Sequence, residues 1–130
     1  MELRKDSIDL GIVCVDAPAM LAFYRDVLGL EHSGDNPVPG GGTMHRLMAG
    51  TSMLKLLAVE PAPAAANPGG GMRAATGMRY FTFTVADLAA DIATCEAAGH
   101  PPVQRISMGP VEIALFEDPD GNAVELVQLV

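Results

Sequence analysis

The stretch "IDLGIVCVDAPAMLAFYRDVLGLE", residues 8–31, has a counterpart in "RYFTFTVADLAADIATCEAAGHPP", residues 79–102. Each opens with a run rich in β-branched or aromatic residues, which predicts strands over residues 8–15 and 79–86. Each then reaches an aspartate suited to cap a helix, Asp16 or Asp87, and the helical pattern ends at Gly29 or Gly99. The aspartates are 71 residues apart and the glycines 70. This nearly constant offset indicates that one structural unit occurs twice.

The two halves continue alike beyond the helix. Residues 41–60, "GGTMHRLMAGTSMLKLLAVE", predict two strands around a turn at Gly50–Thr51, and residues 109–130 predict two strands around Pro119–Asp120–Gly121. Segments 31–42 and 99–108 can each hold a further short strand. The sequence therefore predicts an α+β fold in a single domain, built from tandem βαβββ modules. The first module spans about residues 7–59 and the second about 78–130, joined by a Pro-, Ala- and Gly-rich linker over about 60–77.

Composition excludes several functional classes. No apolar run approaches the roughly 18 residues of a membrane span, and the first residues lack the pattern of a signal peptide, so we expect a cytoplasmic protein without a membrane partner. Sixteen acidic residues against eight basic ones give a net charge of −8 without a basic stripe, which argues against nucleic acid as a partner. Cys14 and Cys95 lie in apolar segments and are expected to be buried, reduced thiols.

Three short motifs carry a resemblance to a known family. "FYRDVLGL" at 23–30, "FTVADL" at 83–88 and "DPDGNAVEL" at 118–126 resemble the vicinal oxygen chelate superfamily, which includes glyoxalases, extradiol dioxygenases and bleomycin-binding resistance proteins. The resemblance extends from Ile8 to Val130. It implies that two curved sheets form a cleft with the helices on their outer faces. It also implies a homodimer, since neighbouring modules commonly cover sheet edges and helix flanks.

Strand alternation predicts which side chains face this cleft. In the first strand these are Asp9, Gly11, Val13 and Val15, and in its counterpart they are Tyr80, Thr82 and Thr84. In the last strand Glu125 faces the cleft while its neighbours Val124 and Leu126 pack inward.

The hairpin at Gly50 presents a second wall of the cleft. A two-residue turn there would pair Arg46 with Lys55 and Met48 with Met53, and a slip of one residue would reverse these faces. Arg46, Met48 and Met53 are expected to contact a ligand, the methionines as an adaptable apolar wall. His45 would join them only if the strand slipped, and otherwise has a packing or hydrogen-bonding role.

The resemblance implies four metal-ligand positions, one on each of four strands, and here they hold Asp9, Lys55, Tyr80 and Glu125. A protonated lysine repels a cation and a neutral tyrosine is a poor ligand for one. We therefore expect no metal cofactor. If a metal were bound, Asp9 and Glu125 would be its ligands.

The residues at these positions have a chemistry of their own, and two interpretations stay open. Lys55 and Glu125 occupy equivalent positions 70 residues apart, so they could form a charge pair across the cleft in place of a metal. Alternatively, Glu125 or Asp9 acts as a base, Tyr80 donates a hydrogen bond, and Lys55 anchors a carboxylate or enolate.

The resulting functional prediction is a protein that acts on a small molecule, as a metal-independent lyase or isomerase. The alternative is a non-catalytic protein that sequesters an antibiotic or metabolite. A metal-dependent glyoxalase or dioxygenase is a third interpretation, which the residues at the ligand positions do not favour.

Overall fold

The computed structural model describes all 130 residues and divides into two compact units, Met1–Ala66 and Asn67–Val130. We call them module one and module two. The division falls within the predicted linker. Each module holds a four-stranded mixed sheet and a helix, which confirms the predicted α+β class and the tandem βαβββ order. No helix is both long and apolar enough to cross a membrane.

Module one has the sheet order β1-β4-β3-β2, with β1 and β4 parallel and the other pairs antiparallel. Its strands are β1 Leu10–Val13, β2 Glu31–Pro37, β3 Gly42–Ala49 and β4 Ser52–Val59. Its helix α1 is Ala17–Leu21, which continues into a π-helical segment, Ala22–Val27.

Module two repeats this arrangement with the order β5-β8-β7-β6, again with one parallel pair, β5 with β8. Its strands are β5 Tyr80–Thr84, β6 Gln104–Met108, β7 Val111–Glu117 and β8 Ala123–Leu129. Its helix α2 is Leu88–Ala97, and a 3-10 turn over Gly71–Arg73 precedes β5.

The predicted helix boundaries are confirmed by their capping bonds. The carboxylate of Asp16 accepts the backbone N–H of Ala19 at 3.0 Å, and that of Asp87 accepts the N–H of Ala90 at 2.9 Å. Each cap satisfies a donor that the first helical turn leaves without an intrahelical partner. Gly29 follows the first helical region with φ +78°, a conformation that glycine adopts without the steric cost of a Cβ.

The π-helical segment was not predicted from the sequence, which indicated only a helix that ends at Gly29. The N–H of Leu28 bonds the carbonyl of Phe23 at 2.9 Å, one residue further back than in an α-helix. The wider turn leaves Phe23 and Tyr24 fully buried, with their rings edge to face at a centroid distance of 4.9 Å. Two adjacent aromatic side chains are thereby both accommodated on the buried side.

The hairpin register predicted for module one is the observed one. Ala49 pairs with Ser52, Met48 with Met53, and Arg46 with Lys55, so Gly50 and Thr51 alone form the turn. Gly50 has φ +60°, which suits the first central position of a two-residue hairpin turn. The register is therefore determined locally, by the length and residues of the turn.

Each sheet buries the face that its own helix packs against. The core of module one includes the helical side chains Met20, Phe23 and Tyr24 against strand residues of β3 and β4, namely Leu47, Leu54 and Leu56. The core of module two includes Leu88, Ile92 and Cys95 of α2 against strand residues Ala114, Phe116, Val124 and Leu126. Both cysteines are buried and free, as predicted.

Candidate functional site

The site residues are best located by the two faces of each sheet. We call the side packed by the module's own helix the helix face, and the other side the open face. Cross-strand partners share a face, and residues two apart along a strand share a face too. The printed registers therefore assign each predicted residue to one face of its module.

On module two, the open face carries Glu125 as predicted. Glu125 on β8 pairs with Thr82 on β5 and with Leu115 on β7, while its neighbours Val124 and Leu126 are buried on the helix face. The Thr82 hydroxyl donates a hydrogen bond of 2.7 Å to Oε1 of Glu125. This bond fixes the carboxylate against the sheet and leaves its other oxygen for a further partner.

Tyr80 lies on the same open face, one row further along. Its partner on β8 is Ala123, two residues before Glu125, so strand spacing puts the Cα atoms of Tyr80 and Glu125 about 8 Å apart. The Tyr80 side chain is 47% exposed although its strand neighbour Phe81 turns towards the core. The same face therefore carries a tyrosine and a glutamate in adjacent rows.

A cavity of about 510 Å³ lies over this part of the open face, within module two. The sheet contributes Tyr80, Leu115, Glu117 and Ala123 to its wall, and the 3-10 turn contributes Met72 and Arg73. Its volume is in the range that accommodates a small organic molecule.

Arg79 holds the segment that forms the second wall of this cavity. Its guanidinium donates to the carbonyls of Pro68, Gly69 and Gly71 at 2.8, 3.1 and 3.0 Å. The second part of the predicted linker is therefore tied to the start of β5. Sequence patterning did not indicate this role, because nothing in the Gly-rich stretch specifies which side chain binds its carbonyls.

The turn that leads into Glu125 is built around a buried acid. The carboxylate of Asp118, 4% exposed, accepts the N–H groups of Asp120 and Asn122 at 3.0 and 2.9 Å and binds the Asn122 amide. It thereby supplies acceptors for donors that the β7–β8 turn would leave without partners. Asp118 positions the strand that carries Glu125 but does not itself face the cavity.

On module one, the open face carries the predicted ligand residues Arg46, Met48, Met53 and Lys55, two from each strand of the hairpin. Arg46 and Lys55 are direct cross-strand partners. Like charges in that relation destabilise a sheet unless an anion lies nearby. The arrangement can therefore hold an anionic group.

Arg46 lies across the backbone of the edge strand β2. A Cβ built on Gly34 would come within 2.5 Å of its Nη2, so a larger residue there would displace the end of the Arg46 side chain. Nη2 approaches the Ser33 carbonyl at 3.4 Å, and Nε is buried without a hydrogen-bond partner. A buried donor without a partner is costly, so this contact lowers the stability gained from packing Arg46 against β2.

Asp9, the third predicted catalytic residue, is occupied by other contacts. Its Oδ1 accepts a hydrogen bond of 2.5 Å from the ammonium of Lys5 and one of 3.0 Å from the backbone N–H of Met53. The hydrogen bond from Lys5 and then that from Met53 lower the pKa of this carboxyl, with the charge of Lys55 adding to the effect. A weaker base that already accepts two donors is poorly suited to take a proton from a substrate.

His45 lies on the opposite side from the other predicted ligand residues. Because the register has not slipped, His45 pairs with Leu56 and shares the helix face with Leu47 and Leu54. There its Nδ1 contacts Oδ1 of Asp35 at 2.8 Å, and Nε2 of His32 contacts the same oxygen at 2.6 Å. Of the two roles expected for His45, the structure therefore shows the hydrogen-bonding one and not the ligand-contacting one that required a slipped strand.

The family-implied metal positions can be tested against these contacts, one module at a time. Module one offers Asp9, already bound by a lysine and a backbone N–H, and the cationic Lys55. Module two offers a tyrosine and Glu125, whose Oε1 already accepts the Thr82 hydroxyl. This donor set does not fit a divalent ion.

Comparison with known proteins identifies the family to which the chain is related. A profile described as Glyoxalase/Bleomycin resistance protein/Dioxygenase superfamily matches residues 8–126. A search of curated protein sequences gave no significant match.

Solved structures with this fold include several named for small-molecule chemistry. A lactoylglutathione lyase from Agrobacterium tumefaciens is 29% identical with a TM-score of 0.65, over 93% of this chain and 91% of that one. The antibiotic-binding protein TnmS3 from a Streptomyces species is 20% identical with a TM-score of 0.74, over 99% of this chain and 100% of that one. Glyoxalase I of Leishmania major is 22% identical with a TM-score of 0.72, over 92% and 84%. The repeated βαβββ fold and the profile match over nearly the whole chain lead to one conclusion: the chain belongs to the Glyoxalase/Bleomycin resistance protein/Dioxygenase superfamily.

Proposed function

We propose that the chain is a metal-independent lyase or isomerase that binds a small organic substrate over the open face of module two. The observation that carries the proposal is the hydrogen bond from Thr82 to Glu125, which holds one carboxylate on that face. Tyr80 supplies a hydroxyl in the neighbouring row. It lines the cavity of about 510 Å³ together with Leu115, the β7 partner of Glu125, whereas Glu125 itself lies outside the cavity lining.

The chemistry best suited to this pair is proton transfer next to a carbonyl. Glu125 removes a proton from the carbon beside the carbonyl, and Tyr80 donates a hydrogen bond to the oxygen on which negative charge develops. In an α-hydroxy carbonyl compound, the protonated Glu125 then returns the proton to the former carbonyl carbon. The hydroxyl proton of the first carbon passes to the former carbonyl oxygen, so that the first carbon becomes the new carbonyl and the isomerisation is complete. In a lyase, the enolate instead expels a leaving group from the next carbon, and the protonated Glu125 gives its proton to that group. One carboxylate suffices, which agrees with the engagement of Asp9 by Lys5 and Met53.

Module one carries a cationic pair that can bind an anion independently of the site on module two. Arg46 and Lys55 are cross-strand partners on one face, and the Nε of Arg46 has no acceptor. A carboxylate bound on this face would relieve the repulsion between the two cations. We infer that the substrate of module two is a small carbonyl compound, and that the cationic face of module one, taken by itself, can bind a small carboxylate.

The proposal is tested with a defined probe, the hemithioacetal formed from methylglyoxal and glutathione, in the presence of a chelator. Formation of the thioester is followed, together with exchange of the substrate proton for deuterium. We expect turnover in wild type, a loss of about 10²-fold or more in kcat for Glu125→Gln, and a smaller loss for Tyr80→Phe. Glu96→Gln, an exposed glutamate of α2, serves as control. An unchanged rate in Glu125→Gln, or neither turnover nor exchange in wild type, would overturn the proposal.

A second candidate function is sequestration of an antibiotic or metabolite without chemistry. It is favoured by the mixed wall of the cavity, where Met72 and Leu115 lie beside Tyr80, and by the likeness to TnmS3 over the whole chain. Calorimetry with bleomycin and a set of aromatic antibiotics separates the two functions. Tight binding without product, equally strong in Glu125→Gln, would favour sequestration.

We further propose that the chain is a homodimer, because both modules end their sheets in edge strands with unpaired backbone groups, such as β2 and β6. Light scattering coupled to gel filtration tests this directly. A mass near 27 kDa, about twice the 13.5 kDa of one chain, is expected across micromolar concentrations, and a mass near 13.5 kDa would contradict it.

A further inference from the structure

The cluster of His32, Asp35 and His45 lies outside the acid–base residues and requires its own explanation. It sits where the edge strand β2 meets β3, on the helix face of module one. Arg46 and Lys55 lie on the other side of the same sheet. These three side chains take no part in the proposed proton transfer.

A β-bulge brings the cluster together. In a regular strand, residues three apart point to opposite faces, so His32 and Asp35 would be separated by the sheet. The register shifts between His32 and Gly34, which leaves Ser33 as an extra residue without a partner in β3. As a result His32 pairs with Leu47 and Asp35 with His45, all on one face. Bulges commonly serve to redirect a side chain in this way.

The three ligand-type atoms converge on a small volume. Nε2 of His32 and Nδ1 of His45 lie 2.6 and 2.8 Å from the same atom, Oδ1 of Asp35, and all three atoms lie within 4.8 Å of one another. Ligands of a tetrahedral zinc ion at its usual bond lengths are about 3.3 Å apart. To admit an ion, the carboxylate oxygen would have to move away from the two nitrogens by about half an ångström or more. The two nitrogens, which lie within 4.8 Å of each other, would have to reach the same spacing of about 3.3 Å. The Asp35 side chain is 48% exposed, which leaves the carboxylate free to move.

The chemistry of the three groups selects the class of ion. Two imidazole nitrogens and one carboxylate oxygen match the three protein ligands of zinc sites that keep an open position for water. The histidine side chains are only 24% and 16% exposed, so their rings are held by packing while the carboxylate remains accessible from solvent. The chain's net charge of −8 also favours a cation.

We propose that His32, Asp35 and His45 form a binding site for one zinc ion or a similar divalent transition metal. The site is distinct from the four ligand positions that the family resemblance implies. A bound ion links the edge strand β2 to β3 across the bulge. It stabilises that edge of module one and does not take part in the proton transfer proposed for module two.

Zinc binding is measured on untagged, chelator-treated protein by isothermal titration calorimetry, with cobalt(II) absorption reporting the geometry. We expect one ion per chain with micromolar or tighter affinity. His45→Ala and Asp35→Asn should each weaken binding at least tenfold, with loss of the tetrahedral cobalt spectrum. His100→Ala is the matched control, because His100 is the third and last histidine of the chain and lies outside the cluster.

Two further measurements keep the outcome clear. Circular dichroism of each variant without metal separates loss of ligands from loss of fold. Glu125→Gln should bind zinc as wild type does, which separates this site from the family-implied positions. The proposal would be overturned if wild type bound clearly less than one zinc ion per chain when the free zinc concentration is about 100 times a micromolar dissociation constant. Equal affinity in His45→Ala and wild type, or loss of binding in Glu125→Gln alone, would overturn it too.

Discussion

The guanidinium of Arg46 occupies the space where a side chain of Gly34 would lie, and a Cβ at that position would come within 2.5 Å of Nη2. Gly34 also has φ +142°, a conformation that L side chains rarely adopt. Two features of the structure therefore favour glycine at this position, the positive φ and the nearby Arg46 side chain. The glycine closes the bulge in β2, and it lets Arg46 lie across the sheet.

Gly34→Ala is expected to destabilise the chain by about 1–3 kcal/mol, chiefly through backbone strain, with a smaller cost for displacing the end of the Arg46 side chain. Gly40→Ala is the matched control, because Gly40 has φ +90° but nothing within 4 Å of a built Cβ. It should cost only the strain, about 1–2 kcal/mol. Urea denaturation of both variants measures the difference. Equal costs would mean that Arg46 moves aside freely.

Asp9→Asn is expected to lower the urea midpoint at neutral pH, because the carboxylate binds Lys5 and the N–H of Met53. The pKa of Asp9 is lowered in the folded state, chiefly by the hydrogen bond from Lys5. Its contribution to stability is therefore present above the unfolded pKa of about 3.8 and is lost as the pH falls through the lower folded pKa. The midpoints of wild type and Asp9→Asn should thus converge in acid.

The control for Asp9 is Asp6→Asn, an exposed acid three residues earlier in the chain. Its midpoint should follow that of wild type from neutral to acidic pH. A difference for Asp9→Asn that persists unchanged in acid would show that the amide disturbs packing and that the charge of Asp9 is not responsible.

Asp118→Ala is expected to cost about 2–3 kcal/mol, because the N–H groups of Asp120 and Asn122 lose their acceptor. Asp118→Asn keeps one acceptor oxygen and should cost less. Glu117→Ala, an exposed neighbour, should change stability by no more than about 0.5 kcal/mol. Thermal unfolding of the three variants provides the measurement. If Asp118→Ala were as stable as wild type, the hydrogen bonds of Asp118 would not be what holds the turn before Glu125.

The two cysteines should resist modification in the native fold. Cys14 is 2% and Cys95 1% exposed, and burial raises the pKa of the Cys95 thiol, so little reactive thiolate forms there. Iodoacetamide should label neither residue at neutral pH and both in urea, as read by mass spectrometry. Stoichiometric labelling of Cys95 with native circular dichroism would show that α2 opens locally.

Much of the fold follows from short-range patterns in the sequence. The repeat, the capping aspartates Asp16 and Asp87, and the hairpin register at Gly50 each depend on residues a few positions apart. The face of Glu125 follows from strand alternation, because its neighbours Val124 and Leu126 must be buried. Local geometry and the burial of apolar side chains are enough to predict these features.

The features decided by tertiary structure join residues that no local pattern relates. The partner of Asp9 on β4, Met53, is 44 residues away, and the acceptor of the Thr82 hydroxyl is 43 residues away. The bulge at Ser33 adds one residue to a period of two, so the alternation that predicts the other strands separates His32 from Asp35. Sequence by itself determined which faces carry polar side chains. Which polar atoms meet was decided by strand pairing, because a hydrogen bond depends on register to within a single residue.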